Sequence, residues 1–124
     1  MSGLSPYICV ADSRAAIEWY REVFQATAEG TPYVMDDGRI GHAELKIADS
    51  LLMMADPFPE VGVAPPDPAS GSAVTLHLEV PDCDAVAEAA VRNGAKLDRG
   101  PESTSHGRAA TFHDPFGHRW IISS

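Results

Sequence analysis

Hydrophobic and polar positions follow two spacings along this chain, one typical of helices and one typical of strands. Apolar side chains recur three and four residues apart over Ser13–Phe24, which predicts a helix with one buried face. That face would consist of Ala16, Ile17, Tyr20, Val23 and Phe24. A second helix is predicted over Asp84–Asn93, with Asp82 as its N-cap and Gly94 at its C-terminal end. Its buried face would consist of Val86, Ala87, Ala90 and Val91.

Strands are predicted before and after each helix, where the apolar spacing changes from helical to alternating. In the first half they follow the helix at Pro32–Met35, Ile40–Ile47 and Leu51–Ala55. In the second half they follow it at Lys96–Arg99, Arg108–His113 and His118–Ile122. Both halves therefore read as βαβββ. The repeat is also visible in single residues, since three positions recur 70 residues later: Val10 as Val80, Asp12 as Asp82, and Ala15 as Ala85.

The chain is expected to form a single domain of two such modules, about 4–55 and 74–124. Residues 56–73 join the modules and contain prolines at positions 57, 59, 65, 66 and 68. Because proline fixes φ and lacks an amide hydrogen, neither helix nor strand is predicted in this proline-rich loop. Two roles are open for it, a linker between the modules or a lid over a site.

Strand alternation also separates a buried face from an open face in both modules. The face expected under the helices is apolar. It contains Ile8, Val10, Ala43, Leu45, Ile47, Leu52, Met54, Leu76, Leu78, Val80, Trp120 and Ile122. The opposite face is far more polar. It contains Ser5, Tyr7, Cys9, His42, Glu44, Lys46, Leu51, Met53, Thr75, His77, Glu79, Arg119 and Ile121. Two half-cups facing each other around a polar cavity are therefore expected.

Composition narrows the class of partner. The 124 residues carry 18 acidic and 9 basic side chains, a net charge of −9, which argues against nucleic acid and anionic membranes as partners. No apolar run reaches 18 residues, so no membrane span is predicted. The N-terminal stretch lacks the segments of a secretory signal, and Cys9 and Cys83 form no CxxC pair. A reduced, cytoplasmic protein is therefore expected.

The last hairpin carries the most specific pattern. Asp114-Pro115-Phe116-Gly117 has turn residues, because aspartate can accept a backbone hydrogen bond two residues on and glycine tolerates positive φ. With the βαβββ repeat, the run Asp114–Trp120 resembles the vicinal-oxygen-chelate superfamily of glyoxalases, bleomycin-resistance proteins and dioxygenases. Pro6-Tyr7, Ala16–Tyr20 and Gly41–Leu45 are similar to its PhnB-like branch. The resemblance implies an α+β fold whose paired modules form a cup-shaped, barrel-like mixed sheet, in a homodimer that covers the sheet edges.

Metal-dependent members of that superfamily place one His, Gln or Glu ligand on the first and last strand of each module. The corresponding positions here are Ser5, Met53, Thr75 and Ile121. A metal centre needs three or four nitrogen or oxygen donors, and a shift of one residue does not supply them. No metal or other cofactor is therefore expected. A displaced divalent metal on His42, Glu44 or His77 is the open alternative.

Candidate ligand contacts lie on the polar face and around it. They are Tyr7, His42, Glu44, Met53, Phe58, His77 and Arg108. The two histidines and the glutamate could contact a ligand, act as acid and base, or only bond to neighbours. Met53 and Phe58 could line an apolar mouth or serve packing alone. Cys9 is expected to be an inert thiol, Trp19 to lie at a helix edge or dimer contact, and His113 and His118 to be exposed beside a turn.

The resemblance and the unsuitable ligand positions together favour a small-molecule-binding protein. It would sequester an aromatic, drug-like or antibiotic compound without metal, with a second copy of the chain as its protein partner. Whether it is an enzyme is left open. The alternative is a metal-dependent lyase, isomerase or dioxygenase with displaced ligands, and a third possibility is an interaction domain with a vestigial pocket.

Overall fold

The computed structural model describes residues 3–124, and the chain divides into two compact units, Met1–Pro65 and Pro66–Ser124. Each unit contains an α-helix and a mixed sheet, which confirms the predicted α+β class. Two short 3-10 helices, Pro59–Val61 and Pro68–Ser70, lie in the proline-rich loop, where no helical structure was predicted. The prediction was wrong because proline suits the first position of a helical turn, where its missing amide hydrogen is not needed.

The first unit contains one α-helix and five strands among its described residues. They are β1 (Tyr7–Cys9), α1 (Ser13–Phe24), β2 (Thr27–Ala28), β3 (Tyr33–Val34), β4 (Ile40–Ile47) and β5 (Ser50–Ala55). The sheet runs in the order β1-β5-β4-β2, and β3 also pairs with β4. β1 is parallel to β5, and the other pairs are antiparallel. The prediction missed β2, because two residues are too few for an alternation to be recognised.

Helix α1 has the predicted bounds because the Asp12 carboxylate accepts a hydrogen bond from the Ala15 amide at 3.1 Å. Its buried face differs from the prediction at two positions. Trp19 is only 8% exposed, whereas Ile17 is half-buried. The Trp19 ring meets Tyr20 edge-on at 5.4 Å between ring centroids and Phe24 at 5.7 Å, so aromatic packing draws it into the core of this unit.

A buried carboxylate joins α1 to the sheet. Asp56 is 8% exposed, and its two oxygens accept hydrogen bonds from the Ser13 amide at 2.8 Å and the Ile40 amide at 2.7 Å. Burial raises the pKa of Asp56, but the hydrogen bonds from these amides outweigh burial and leave the pKa below its ordinary value. The ionised side chain therefore fixes the start of α1 beside the start of β4.

The second unit repeats this plan. It contains β6 (Thr75–Glu79), α2 (Cys83–Arg92), β7 (Lys96–Thr104), β8 (Gly107–His113) and β9 (Arg119–Ser123). The sheet order is β6-β9-β8-β7, and β6 is parallel to β9, as β1 is to β5. Asp82 caps α2 by accepting from the Ala85 amide at 3.2 Å. Strand β7 continues five residues beyond the predicted Arg99, with two register shifts that an alternation pattern does not reveal.

The turn before β9 forms as predicted and does more than reverse the chain. Asp114 is 4% exposed, and one oxygen accepts from the Phe116 amide at 2.9 Å and the His118 amide at 3.0 Å. Its other oxygen accepts from the Trp120 indole at 2.9 Å. Gly117 adopts a φ of 91°, the positive value expected in this turn. Asp114 therefore fixes both the turn and the large core side chain after it.

The predicted sorting of strand side chains holds within each unit. In the first unit every residue of the predicted apolar set is buried. In the second unit Trp120 and Ile122 are buried, while Leu76, Leu78 and Val80 are half-buried. None of the helices in residues 3–124 is long and apolar enough to cross a membrane.

Candidate ligand-binding site

A pocket of about 720 Å³ opens in the first unit, a size within the range of small-molecule sites. Its walls come from β1, the β3–β4 hairpin, the end of β5 and residues 58–64. Three aromatic side chains, Tyr7, Tyr33 and Phe58, line it together with the thioether of Met35 and small apolar groups. His42 is the titratable imidazole among the lining residues. The pocket therefore combines ring surfaces with a local polar group.

The polar group belongs to a chain of hydrogen bonds between β1 and β4. His42 Nδ1 lies 2.8 Å from the Tyr7 hydroxyl, and His42 Nε2 lies 2.6 Å from Glu44 Oε2. The Tyr7 hydroxyl also donates to the Gly41 carbonyl at 2.8 Å. Alternation places His42 and Glu44 on one face of β4, and Met53 of β5 pairs in register with both Tyr7 and Glu44. The sheet thus brings four predicted site residues together.

The network depends on the number of protons that His42 carries. If the single Tyr7 proton is donated to Gly41, the Tyr7 oxygen must accept from His42 Nδ1. An ionised Glu44 must accept from His42 Nε2, so all three contacts are made at once only by a doubly protonated imidazole. A neutral His42 gives up one of these hydrogen bonds. Which of the three contacts form therefore depends on the number of protons on His42.

Two weakly acidic side chains of the pocket, the Tyr7 phenol and the Cys9 thiol, keep their protons. Burial and then the negative charge of Glu44 raise the pKa of Tyr7, so its phenol remains a hydrogen-bond donor. Burial and then the charge of Asp56 raise the pKa of Cys9, which also lines the pocket. A protonated thiol is a poor nucleophile, which supports the inert role expected for Cys9.

Arg39 holds the loop of residues 57–64, which forms one wall of the pocket. The Arg39 guanidinium donates to the Pro57 carbonyl at 3.1 Å and to the two Glu60 carboxylate oxygens at 3.1 and 2.7 Å. It also lies over the Phe58 ring, 3.9 Å from the centroid, and its Nε donates to Asp37 at 2.8 Å. Within the loop, Phe58 and Val63 exchange backbone hydrogen bonds at 2.9 and 3.0 Å. Residues 57–64 are therefore a closed loop held against the β3–β4 hairpin.

Of the predicted contacts in the first unit, Tyr7, His42 and Phe58 line this pocket, whereas Glu44 and Met53 do not. The remaining two, His77 and Arg108, belong to the second unit and do not line it either. His77 Nε2 lies 2.8 Å from the Ser123 hydroxyl. Arg108 forms a two-pronged pair with Asp84 at 3.0 and 2.7 Å and donates to Ser103 at 3.2 Å. The hydrogen bond from Arg108 lowers the pKa of Asp84, and the pair ties β8 to α2.

Sequence reasoning missed Tyr33, Met35 and the role of Arg39. A signal was present, because Asp36-Asp37-Gly38 was predicted as a turn. That turn pairs the Met35 amide with the Arg39 carbonyl at 2.8 Å and so folds β3 back over the start of β4. The contacts of Arg39 with residues 57–60 had no comparable signal, since they join segments distant in sequence.

The donor set does not fit a divalent metal. Within residues 3–124, no group of three or more His, Cys, Asp or Glu side chains is arranged to hold a metal ion. The residues that the resemblance assigns to ligand positions are Met53, Thr75 and Ile121 on strands and Ser5 just before β1, and they offer a thioether, two hydroxyls and a hydrocarbon. The Thr75 hydroxyl already accepts from Arg119 at 2.7 Å.

Comparisons with known proteins agree with this architecture. The family model described as the Glyoxalase/Bleomycin resistance protein/Dioxygenase superfamily matches residues 4–122. The uncharacterised protein Mb0911c of Mycobacterium bovis is 36% identical over 123 residues, which are 96% of this chain and 80% of that protein. A glyoxalase/bleomycin resistance protein from Streptomyces sp. CB03234 has 26% identity and a TM-score of 0.70, covering 99% of this chain and 100% of its own. The fosfomycin resistance protein FosX of Listeria monocytogenes has the same fold, with a TM-score of 0.74 at 16% identity over 100% of this chain and 91% of its own.

Proposed function

Because this chain belongs to the glyoxalase/bleomycin resistance protein/dioxygenase superfamily, we propose that it binds a small aromatic compound in the pocket of its first unit without a metal. The observation that carries the proposal is the meeting of aromatic walls with a hydrogen-bonded polar pair, His42 and Glu44. A cavity of about 720 Å³ accommodates a drug-sized molecule. The family name and the resistance proteins among the structural relatives support a drug-like ligand that is sequestered by binding.

The chemistry of the walls favours a planar cation. Aromatic faces attract positive charge, and Tyr7, Tyr33 and Phe58 present such faces to the pocket. The Glu44 carboxylate lies 2.6 Å from the ring of the lining residue His42, so its negative charge favours a cationic ligand over a neutral or anionic one. The net charge of −9 raises the local concentration of cations around the protein. The proposed ligand is therefore an aromatic compound that carries an amine.

The remaining features of the proposal concern assembly and location. The first sheet ends in β1 and β2 and the second in β6 and β7, and edges of this kind need a covering partner. We propose a homodimer that acts in the cytoplasm, and we place the chain in the PhnB-like branch on the segments around Tyr7 and His42. The oligomeric state is measured by light scattering at two protein concentrations.

Calorimetric titration tests the ligand class. Proflavine serves as a planar cation and fluorescein as a planar anion of similar ring area. The expected result is saturable heat with proflavine, with the affinity weakened about tenfold by Glu44→Gln, since the negative charge beside the pocket is lost. Asp49→Asn, in the exposed β4–β5 turn, serves as the control and leaves the affinity unchanged. An affinity for proflavine that Glu44→Gln leaves unchanged, or a higher affinity for fluorescein than for proflavine, would rule out this ligand class.

A second candidate function rests on the proton count of the Tyr7–His42–Glu44 network. A group that takes up and releases a proton between two partners can act as general base and acid without a metal. This would be proton transfer on a small carbonyl compound, as in an isomerase or lyase. Loss of hydrogen from the carbon next to the carbonyl of such a compound in deuterated water, absent with His42→Gln, would support it.

A further inference from the structure

The second unit contains a second chain of hydrogen bonds, which uses three different residue types. His113 Nε2 lies 3.2 Å from the Ser72 hydroxyl, and His113 Nδ1 lies 2.5 Å from Asp98 Oδ2. A serine, a histidine and an aspartate thus follow one another in the order hydroxyl, base and carboxylate. His113 was expected to be an exposed turn residue. Instead it ends β8 with its side chain 32% exposed, held from both sides.

A β-bulge directs the carboxylate to the histidine. Leu97 pairs with Phe112 and Arg99 pairs with Thr111, so Asp98 is the extra residue in β7. A bulge redirects the side chain of the extra residue and is common next to active sites. An ionised Asp98 accepts from Nδ1–H, which leaves Nε2 without a proton when the ring is neutral. His113 is therefore held with Nε2 ready to accept a proton from Ser72.

The serine lies on a fixed but accessible loop. Asp67 accepts from the Ala69 amide at 2.9 Å and from the Ser70 hydroxyl at 3.1 Å, which closes the turn before it. Ser72 itself is exposed. The amides of Ser72 and Ala73 make no hydrogen bond to another residue of the part of the chain that the structure describes. These two N–H groups are thus available to an oxygen atom of a bound molecule.

Two cationic side chains stand beside the histidine. Lys96 on β7 and Arg119 on β9 are the register partners of His113, so all three project from the same face of this sheet. Positive charge at this position favours negative charge that develops on a carbonyl oxygen during attack. A base, a nucleophile and an orienting carboxylate therefore meet at one end of the second sheet, with two cationic residues on the same face.

We propose that Ser72, His113 and Asp98 form a hydrolytic site for small carboxylic esters. The arrangement matches the general requirement for an activated hydroxyl, in which a base contacts the nucleophile and a third group orients the base. The proposal rests on the second unit alone. It therefore stands or falls independently of ligand binding in the first unit.

The proposed reaction has two steps, with water as the co-reactant. The Ser72 oxygen bonds to the ester carbonyl carbon while its proton passes to His113 Nε2. The bond to the alcohol then breaks, and the alcohol leaves with that proton. Water attacks the resulting acyl-serine and gives a proton to Nε2. The bond between the acyl carbon and Ser72 breaks, the acid leaves, and the proton returns to the serine oxygen.

Hydrolysis of p-nitrophenyl acetate by the full chain tests the site. We expect Ser72→Ala and His113→Gln each to lower kcat/KM by about a hundredfold or more. The first variant lacks the nucleophile, and the second lacks the base that accepts its proton. Ser105→Ala, an exposed serine in the β7–β8 turn, and His106→Ala, an exposed imidazole, are the matched controls and keep the rate of the unchanged protein. Circular dichroism confirms that each variant is folded.

A second measurement separates the positioning role of Asp98 from a structural one. Asp98→Asn is expected to lower kcat while leaving KM unchanged, and Asp98→Glu is expected to restore part of kcat. A fluorophosphonate probe should modify Ser72, as located by mass spectrometry, and the modification should be lost with His113→Gln. Hydrolysis no faster than in buffer, an unchanged rate in Ser72→Ala, or modification of another residue would overturn the proposal.

Discussion

Buried carboxylates organise both units at the scale of single residues. Asp56 accepts from the amides that begin α1 and β4, and Asp114 accepts from two turn amides and the Trp120 indole. In each case the side chain substitutes for water around backbone groups that would otherwise be buried without partners. Glu44 differs, because its partner is the titratable His42 beside a pocket. The first two carboxylates therefore stabilise backbone groups, whereas Glu44 contacts a side chain that lines the pocket.

Asp56→Asn is expected to lower the free energy of unfolding by about 1–3 kcal/mol near neutral pH, because an amide cannot accept from both backbone groups in the same way. The folded-state pKa of Asp56 lies below its unfolded value, so the unfolded chain binds the proton first as pH falls. The contribution is complete above the ordinary carboxyl pKa of about 4 and is lost as pH falls through the folded-state value. Urea unfolding from about pH 7 to about pH 3 should show the two proteins converging.

Asp49→Asn provides the comparison for that experiment, because Asp49 is exposed in the β4–β5 turn. It should change the unfolding free energy by less than about 0.5 kcal/mol. A difference between Asp56→Asn and the unchanged protein that stays constant across the pH range would mean that the amide hydrogen bonds do not hold an ionised carboxylate.

Residue-scale prediction from the sequence succeeded where the partners are near in the chain. The Asp114 turn and the Asp82 cap follow from chemistry within four residues. Asp56 was predicted only as a residue of the proline-rich loop. Its hydrogen-bond partners lie 43 and 16 residues away, so no local sequence pattern indicates them. His113 was misjudged for the same reason, since its contacts to Ser72 and Asp98 are made between different segments.

The pocket depends, at the scale of elements, on a loop that has little secondary structure of its own. Residues 57–64 contain a single 3-10 turn and one bridge between Phe58 and Val63. The contacts of Arg39 with Glu60, Phe58 and the Pro57 carbonyl hold that loop to the β3–β4 hairpin. The hydrogen bonds that Arg39 donates to Glu60 and then to Asp37 raise the pKa of Arg39, which is therefore permanently charged. Arg39 thus stabilises one wall of the pocket.

Arg39→Gln should loosen that wall. The Phe58 and Val63 amides are expected to exchange with deuterium about tenfold faster or more, because a planar charged fork cannot be replaced by one amide. Arg21→Gln, which removes an exposed pair with Glu18 on α1, leaves their exchange unchanged. Hydrogen exchange followed by mass spectrometry measures both. Equal protection of the loop in all three proteins would show that Arg39 does not hold it.

Strand β7 depends on a glycine at its second irregularity. Gly100 has a φ of 79°, and a Cβ there would lie 2.5 Å from the Ala109 carbonyl oxygen and 3.1 Å from the Ala110 Cα. Gly100→Ala is therefore expected to cost about 2–4 kcal/mol, because backbone on β8 would have to move. Gly30 has a φ of 69°, and a Cβ added there would have nothing within 4 Å. Gly30→Ala should therefore lower the free energy of unfolding by only about 1 kcal/mol.

Thermal unfolding of both glycine variants measures the difference, with Gly100→Ala expected to melt well below Gly30→Ala. Similar melting temperatures would contradict the close approach of β7 to β8 at this point. The sequence predicted neither strand irregularity, because a bulge keeps the same residue types while it changes the pairing.

The whole molecule is a repeat whose two copies carry different chemistry. Tyr7 on β1 and His77 on β6 stand at matching positions, and their register partners are Met53 and Ile121. The repeat, the family and the polar faces could be predicted from the sequence, because spacing and alternation are properties of single segments. The pocket wall at 58–64 could not, because it depends on side chains such as Arg39 and Glu60, which are 21 residues apart.

A planar cation is proposed to bind in the pocket of the first unit. Titration of proflavine into the isotope-labelled protein, followed by amide NMR spectra, tests this binding. Saturable shifts are expected to cluster at Tyr7, Tyr33, His42 and Phe58 and to shrink in Glu44→Gln. Saturable shifts confined to residues 66–124, or no saturable shift at millimolar proflavine, would contradict binding in this pocket.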